Sequence, residues 1–306
     1  MPSEITFSHF GAPDVLHWTS DAEMPEPLPS QVVIVVAAAC ASVLDTHIRR
    51  GHLVDSITTF LPSGAGLEAT GIVIARGSAV RDVEVGDEVF GFTDTGAYAQ
   101  FAALTTYARK PADVPWRIAA SISTASTTAY RVLDELGVTA GETLLVTGGA
   151  GAVGSFAVQI AVARGIRVIA TVGATDEAYI RSLGAVPVRY GPGCSDRIRV
   201  VARKGIDAAC DTAGVRVLSE LVTLTGSPKR VITIADPTAS TYGVRFSATN
   251  AHNHTKHLLR EVAALVAEGD MSVRISRTYP MAQAAQAHRD LEAGQLHGRV
   301  VLMNGT

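Results

Sequence analysis

Residues 142–173 read ETLLVTGGAGAVGSFAVQIAVARGIRVIATVG, and the order of residue types along them decides the fold. Residues 143–147 are a short apolar run of strand character, the next turn carries Gly149-x-Gly151-x-x-Gly154, and residues 167–172 form a second β-branched run. Glycines at this spacing, where a strand feeds directly into a helix, are the pattern of a dinucleotide site. Each glycine is expected to act differently. Gly149 lets the chain turn sharply, Gly151 lets backbone amides approach a pyrophosphate, and Gly154 removes a side chain that would hold the helix off the sheet. Val153, Phe156, Ala157 and Ile160 recur at i, i+3, i+4 and i+7, which gives the helix one buried face, and Gly165 ends it. The first amides of that helix and its dipole point at the turn and make it an anion site.

Outward from this stretch, strands alternate with helices from about residue 121. The pattern predicts a helix ending at Gly184, a strand at 207–210, a helix over 215–224, and strands at 230–234 and 244–246. An amphipathic helix over 256–267 offers Leu258, Leu259, Val262, Leu265 and Val266 to the core. Such alternation implies an α/β unit with a parallel sheet covered on both faces. Residues 5–116 read instead as short strands and turns without helices, with strands at 15–18, 31–37, 71–75 and 85–92 and an extended connector at 25–29. The tail, 277–302, returns to strand, helix and strand and is expected to fold back onto the first domain. An irregular β domain, residues 1–120 plus 272–306, is thus split by a dinucleotide-binding module at 121–271.

At 306 residues the chain is long enough for two domains with ordinary cores, and a net charge of −3 argues against nucleic acid or an acidic membrane surface as the main partner. Cys40, Cys194 and Cys210 are odd in number and form no close pair, which suits a reducing, cytoplasmic compartment. The opening residues mix Glu4 and His9 into a strand-like pattern unlike a signal peptide. The longest apolar run, 32–41, is too short to span a bilayer.

Further motifs are LPSGAGLEATGIV at 61–73, VGDEV at 85–89, Thr128-Ala129-Tyr130, the turn in the form GGAGAVG at 148–154, HRDLE at 288–292 and GRVVL at 298–302. With these in order, the sequence resembles, nearly end to end, the zinc-free quinone oxidoreductase branch of the medium-chain dehydrogenase/reductase superfamily, which includes the zeta-crystallin-like proteins. The resemblance implies a Rossmann doubly wound parallel sheet inserted into an irregular GroES-like β domain, a homodimer, and a small-molecule quinone or enone substrate. Zinc alcohol dehydrogenases of the superfamily place a cysteine in the segment occupied here by Ser42 and a histidine where Leu67 stands, and neither side chain is a zinc ligand. A cysteine-rich structural lobe is absent from 92–98. Reducing a simple carbonyl by hydride transfer needs the polarisation a metal supplies, whereas quinones and conjugated enones are already electrophilic. The expectation is hydride transfer from a nicotinamide to such an acceptor without a metal. An enoyl reductase working on a thioester or a secondary-metabolite enone, and a crystallin-like protein that binds nucleotide without catalysis, are the alternatives.

The acidic residue that grips the adenosine ribose should end the second strand, but Thr171, Val172 and Gly173 stand there. This favours NADPH over NADH, although Asp176 and Glu177 occupy the stretch where the family often places a lysine for the 2′-phosphate. Thr175, Arg181 and Tyr190 are candidate donors. The resemblance and the glycine turn together put cofactor contacts at Ser42, Thr128, Gly149, Gly151, Ala152, Val153, Gly154, Thr171, Gly173, Thr175, Tyr190, Thr212, Ala235 and Arg299. Residues 42–47 match the family segment lining the nicotinamide. Catalytic candidates are His47, a proton donor where the family commonly has tyrosine, and Asp45, read chiefly as a structural hydrogen-bond acceptor. His252-Asn253-His254-Thr255-Lys256-His257 is read as a solvated or substrate-proximal loop rather than a metal site, and Cys210 as an inert core thiol.

Overall fold

The computed structural model describes residues 2–248, 256–294 and 296–305. The chain divides into two compact units, one comprising Met1–Thr124 with His254–Thr306 and the other Ala125–Asn253. The first runs through β1 (Glu4–Phe7), β2 (His17–Thr19), β3 (Val32–Ala41), α1 (Val43–Arg50), β4 (Ser63–Gly64), β5 (Glu68–Arg76), β6 (Glu88–Phe92), β7 (Phe101–Leu104), β8 (Thr106–Arg109) and α2 (Trp116–Ala119). After α3 (Ser123–Leu136) the second unit continues with β9 (Thr143–Thr147), α4 (Ala152–Ala163), β10 (Arg167–Val172), α5 (Glu177–Ser182), β11 (Val186–Arg189) and α6 (Cys194–Val201). It closes with β12 (Ala208–Asp211), α7 (Leu218–Thr225), β13 (Val231–Thr233) and β14 (Arg245–Phe246). The chain then returns to the first unit as α8 (Lys256–Glu268), β15 (Ile275–Pro280), α9 (Ala284–Glu292) and β16 (Arg299–Met303).

In the first unit β3 is the spine. Its β-branched and small residues, almost all buried, pair with β5, β7 and β16, and the larger sheet runs β15-β16-β3-β5-β6-β8. Each buried valine or isoleucine of this strand contributes about 1.5–3 kcal/mol of transfer free energy. Between β5 and β16 lies an ion pair of Glu68 with Arg299, 1% and 3% exposed, and a second oxygen of Glu68 accepts from Thr124 N–H at 2.8 Å. Two ions so fully desolvated must satisfy each other, so this pair fixes how the C-terminal strand meets the sheet.

The second unit is one six-stranded, wholly parallel sheet ordered β11-β10-β9-β12-β13-β14. Its strand order reverses between β9 and β12, so the loops at the carboxyl ends of these strands part and leave a crevice. Asp211, fully buried, braces that end. One of its oxygens accepts from Thr147 Oγ1 at 2.6 Å and from the N–H groups of Ala213 and Gly214 at 3.1 and 3.2 Å; the other accepts from Thr233 Oγ1 at 2.7 Å.

Several expectations are corrected. Residues 43–50 form a helix inside the stretch read as helix-free: Ser42 caps it and Asp45 returns a bond to the Ser42 backbone. Residues 13–15 are a 3-10 turn, so the strand expected at 15–18 begins only at His17. β11 and α6 were not expected; Pro187 sits in β11, which is tolerated because that strand lies at the sheet edge. The helix expected from 215 starts at Leu218, because Arg216 takes a left-handed φ of 59°. The helix of 256–268 belongs to the first unit rather than to the module it was assigned to, since Lys256 and Arg260 both reach Asp82 and the Lys256 ammonium lies over the Tyr107 ring.

Replacing Asp211 by alanine leaves two buried hydroxyls and two amides without their acceptor. We expect a loss of about 2–4 kcal/mol of stability, read as a lower urea midpoint.

Candidate functional site

The crevice end of the second unit is built around the turn from β9 to α4. The left-handed residue is Gly148, with φ of 70°, not Gly149 as the spacing suggested. Gly149 is required for another reason: a Cβ there would stand 2.6 Å from the Ala170 Cβ of β10. At Gly154 a Cβ would meet the carbonyl oxygen of Gly148 at 2.2 Å, so only glycine lets α4 begin this close beneath the turn. Gly151 is the N-cap of α4 and has no side-chain cap, so the amides that open the helix have no acceptor from the cap residue. The helix is buried on more than the predicted face, since Val158 and Ala161 join Phe156, Ala157 and Ile160, while Val153 is only partly buried.

Several predicted contacts collect at this end of the sheet. Thr171 spends its hydroxyl on the turn, accepting from Gly148 N–H at 3.3 Å, while its carbonyl accepts from Gly149 N–H at 3.1 Å. Thr212 donates to the Thr147 carbonyl at 2.7 Å, and Ala235 N–H bonds the Thr233 hydroxyl at 3.0 Å, so both line the crevice through fixed loops. Gly173 ends β10; a Cβ there would lie 3.5 Å from the Tyr190 hydroxyl, and Thr175 is exposed beside it. The Asp176 carboxylate is buried, 1% exposed, with one oxygen 3.8 Å from where a Cβ on Gly173 would stand. Glu177 is claimed by Arg181, at 3.0 Å, and by Arg189. Arg189, which pairs in register with Val172, was not among the predicted residues; its signal was only the end of a strand that the sequence did not reveal. Thr128 is buried in α3.

Ser42, Asp45, His47 and Arg299 belong to the first unit. Arg299 is held in the buried pair with Glu68, so its guanidinium serves the core. Ser42 Oγ and N–H both donate to one oxygen of Asp45, at 2.5 and 2.7 Å, while the other oxygen, equally buried, has no hydrogen-bond partner. Burial raises the Asp45 carboxyl to about 6 despite the Ser42 bonds. Asp45 lines a cavity of about 320 Å³ together with Phe7, Ile48, Ile57, Phe60 and Leu67. His288 closes its inner wall. Because Arg49 can only donate, its Nη1 at 3.4 Å makes His288 Nδ1 an acceptor, and the remaining proton on Nε2 is donated to the Tyr98 hydroxyl at 3.1 Å. Burial, with Arg49 beside it, lowers His288 to about 3, so the ring is neutral. His47 is exposed, its pKa lowered by partial burial and by the charges of His52 and Arg50.

At the two positions where the resemblance puts zinc ligands, Ser42 is committed to capping α1 and Leu67 is apolar, so the residues present do not fit that ion. Of the histidine-rich segment only Lys256 and His257 are described, and they open α8; the rest lies outside the described residues. Cys210 is fully buried and its thiol is pushed up by desolvation. Among the described residues no helix is long and apolar enough to cross a membrane.

This arrangement, a dinucleotide-type crevice in one unit and a partly apolar cavity in the other, defines the class; comparison with known proteins identifies the family. Residues 28–115 match the alcohol dehydrogenase GroES-like domain and residues 187–302 the family described as zinc-binding dehydrogenase. The quinone oxidoreductase of Sus scrofa is 32% identical over 94% of this chain and 93% of its own. The NADPH-dependent alkenal/one oxidoreductase, chloroplastic, of Arabidopsis thaliana is 30% identical over 99% of this chain and 80% of its own. The structure of the quinone oxidoreductase from Coxiella burnetii superposes with a TM-score of 0.85, 27% identity and 99% coverage of both chains. The chain belongs to the quinone oxidoreductase branch of the medium-chain dehydrogenase/reductase superfamily.

The Asp45 carboxyl titrates higher in the folded chain than its ordinary 3.8, so its contribution to stability is full below that value and is lost as pH rises through about 6. Asp45→Asn removes the buried charge. Its urea midpoint should equal or exceed that of the parent at pH 8, and the advantage should disappear below about pH 5.

Proposed function

We infer that this protein reduces quinones or conjugated enones by hydride transfer from NADPH without a catalytic metal. The observation that carries the cofactor preference is the end of β10. There Gly173 leaves the adenosine ribose no carboxylate on the strand, Tyr190 and Thr175 offer hydroxyls, and Arg189 and Arg181 bring two guanidiniums against the single carboxylate of Glu177. That balance suits the added 2′-phosphate of NADPH rather than a bare diol. The pyrophosphate is taken by the amides opening α4 behind Gly151, Ala152 and Val153. The likeness to a relative named for NADPH and for alkenals and alkenones supports the same reading.

Acceptor binding falls to the first unit. Its cavity supplies Phe7, Ile57, Phe60 and Leu67 for a planar apolar body, with Asp45, Thr59 and Ser63 as polar lining. An electrophilic quinone or enone needs only positioning and a proton once hydride arrives, and His47, exposed in the last turn of α1, relays that proton from water.

The test is NADPH oxidation with a panel of quinones and enones, before and after prolonged chelation. Turnover unchanged by chelation supports the reading; no turnover of any acceptor, or loss on chelation, ends it. Within active protein, Arg189→Ala should raise the KM for NADPH about tenfold, the cost of one charge-assisted hydrogen bond, and leave that for NADH nearly unchanged.

A further inference from the structure

Each polar side chain of the motif HRDLE at 288–292 reaches from α9 to a different partner. His288 meets Arg49 and Tyr98, Arg289 pairs with Asp14 at 2.6 Å, Asp290 takes Arg277 of β15 at 2.9 Å, and Glu292 takes both Arg49 and Arg50. Two of these side chains converge on α1, the helix whose Asp45, Ile48 and Arg49 line the cavity. The helix needs such anchoring. It has eight residues, too few to hold itself, and the side chains it buries fully are Asp45, Thr46 and Arg49, while Leu44 and Ile48 are only partly buried. Apolar burial therefore does not decide where α1 sits; the Arg49 guanidinium does. Its Nε donates to the Gly11 carbonyl at 3.1 Å, its Nη2 to Glu292, and its Nη1 to His288 Nδ1 at 3.4 Å.

His288 carries that anchorage across the cavity floor. Its ring, 1% exposed, stands edge-on to Tyr98 at 88°, with centroids 5.7 Å apart and Nε2 3.1 Å from the hydroxyl. Tyr98 is locked in turn to residues 63–67. Its N–H donates to the Ala65 carbonyl at 2.9 Å, and its ring lies so close to Gly66 that a Cβ there would meet it at 2.4 Å. Ala65 and Gly66 also line the cavity. One buried chain, Arg49–His288–Tyr98, thus joins two of the cavity's walls, and both nitrogens of the imidazole in its middle are engaged. We propose that His288 is a positioning residue that fixes the spacing between α1 and the turn of 63–67, and so sets how wide an acceptor the cavity admits. The proposal rests on the cavity's being the acceptor site.

The ratio of kcat/KM for the two-ring quinone menadione to that for the one-ring duroquinone reports that width. His288→Leu, confirmed as folded by circular dichroism, keeps the bulk and cuts both bonds. The ratio should rise at least about fivefold, with the KM for NADPH within about twofold of the parent's. His288→Gln, whose carboxamide supplies one acceptor and one donor, should return the ratio to that of the parent. Tyr98→Phe removes a single hydroxyl, with less risk to folding, and should raise the ratio about threefold. A ratio that does not rise in folded His288→Leu or in Tyr98→Phe, that rises as far in His288→Gln, or that rises only with the KM for NADPH overturns the proposal. If the parent reduces neither quinone, the proposed reaction fails on its own account. The relative affinity for menadione over duroquinone, measured by calorimetry without NADPH, then decides on the same terms, and absence of binding to both overturns the proposal.

Discussion

The crevice of the second unit is held open by a single buried carboxylate. Asp211 ties β9, β12 and β13 together at their carboxyl ends through two threonine hydroxyls and two backbone amides. Parallel strands alone would leave these ends free to splay, because ladder bonds stop where the loops begin. With Asp211 in place, Thr147 and Thr233 are fixed, and each in turn fixes a loop: Thr212 bonds the Thr147 carbonyl, while Ala235 and Asp236 N–H bond the Thr233 hydroxyl. The glycine turn inherits its position from this network, since Gly148 and Gly149 hang between Thr171 and Thr212.

Much of the second unit was legible because its signals are local. Spacing of glycines, β-branched runs and a helical stripe all lie within one 32-residue window of sequence, 142–173. What failed there failed for physical reasons. Spacing cannot say which of two adjacent glycines takes the left-handed turn, because that depends on Ala170 from the next strand crowding Gly149. β11 hid behind its proline, and α6 is only eight residues long, with a single fully buried side chain, Ile198, and two partly buried hydrophobic ones, Cys194 and Val201, to mark its inner face. In the first unit α1 was missed although Ser42 and Asp45 carry the serine-to-acid spacing of a capping box, since its exposed Val43 and buried Arg49 invert the expected polarity.

The first unit's polar interior was illegible in principle. Glu68 meets Arg299 across 231 positions of sequence and Arg49 meets Glu292 across 243, separations at which no periodicity operates. Arg299 was accordingly expected at the cofactor, as any arginine near a recognised motif would be, and is instead a core ion. Asp45 shows the intermediate case. Its capping role is local and was partly anticipated; its place in the lining of the cavity depends on walls contributed by β1, α1 and the turns around residues 57–67.

The place of β16 has a consequence for how the molecule is made. The strand of residues 299–303 lies inside the larger sheet, between β15 and β3, although it is synthesised long after β3. The second unit, by contrast, is one uninterrupted segment and can collapse during synthesis. On that edge of β3 the strand β7 already pairs residues 32–35, but residues 38–41 must wait through some 250 residues of translation for their partner, a short apolar edge open to aggregation or to holding chaperones until then.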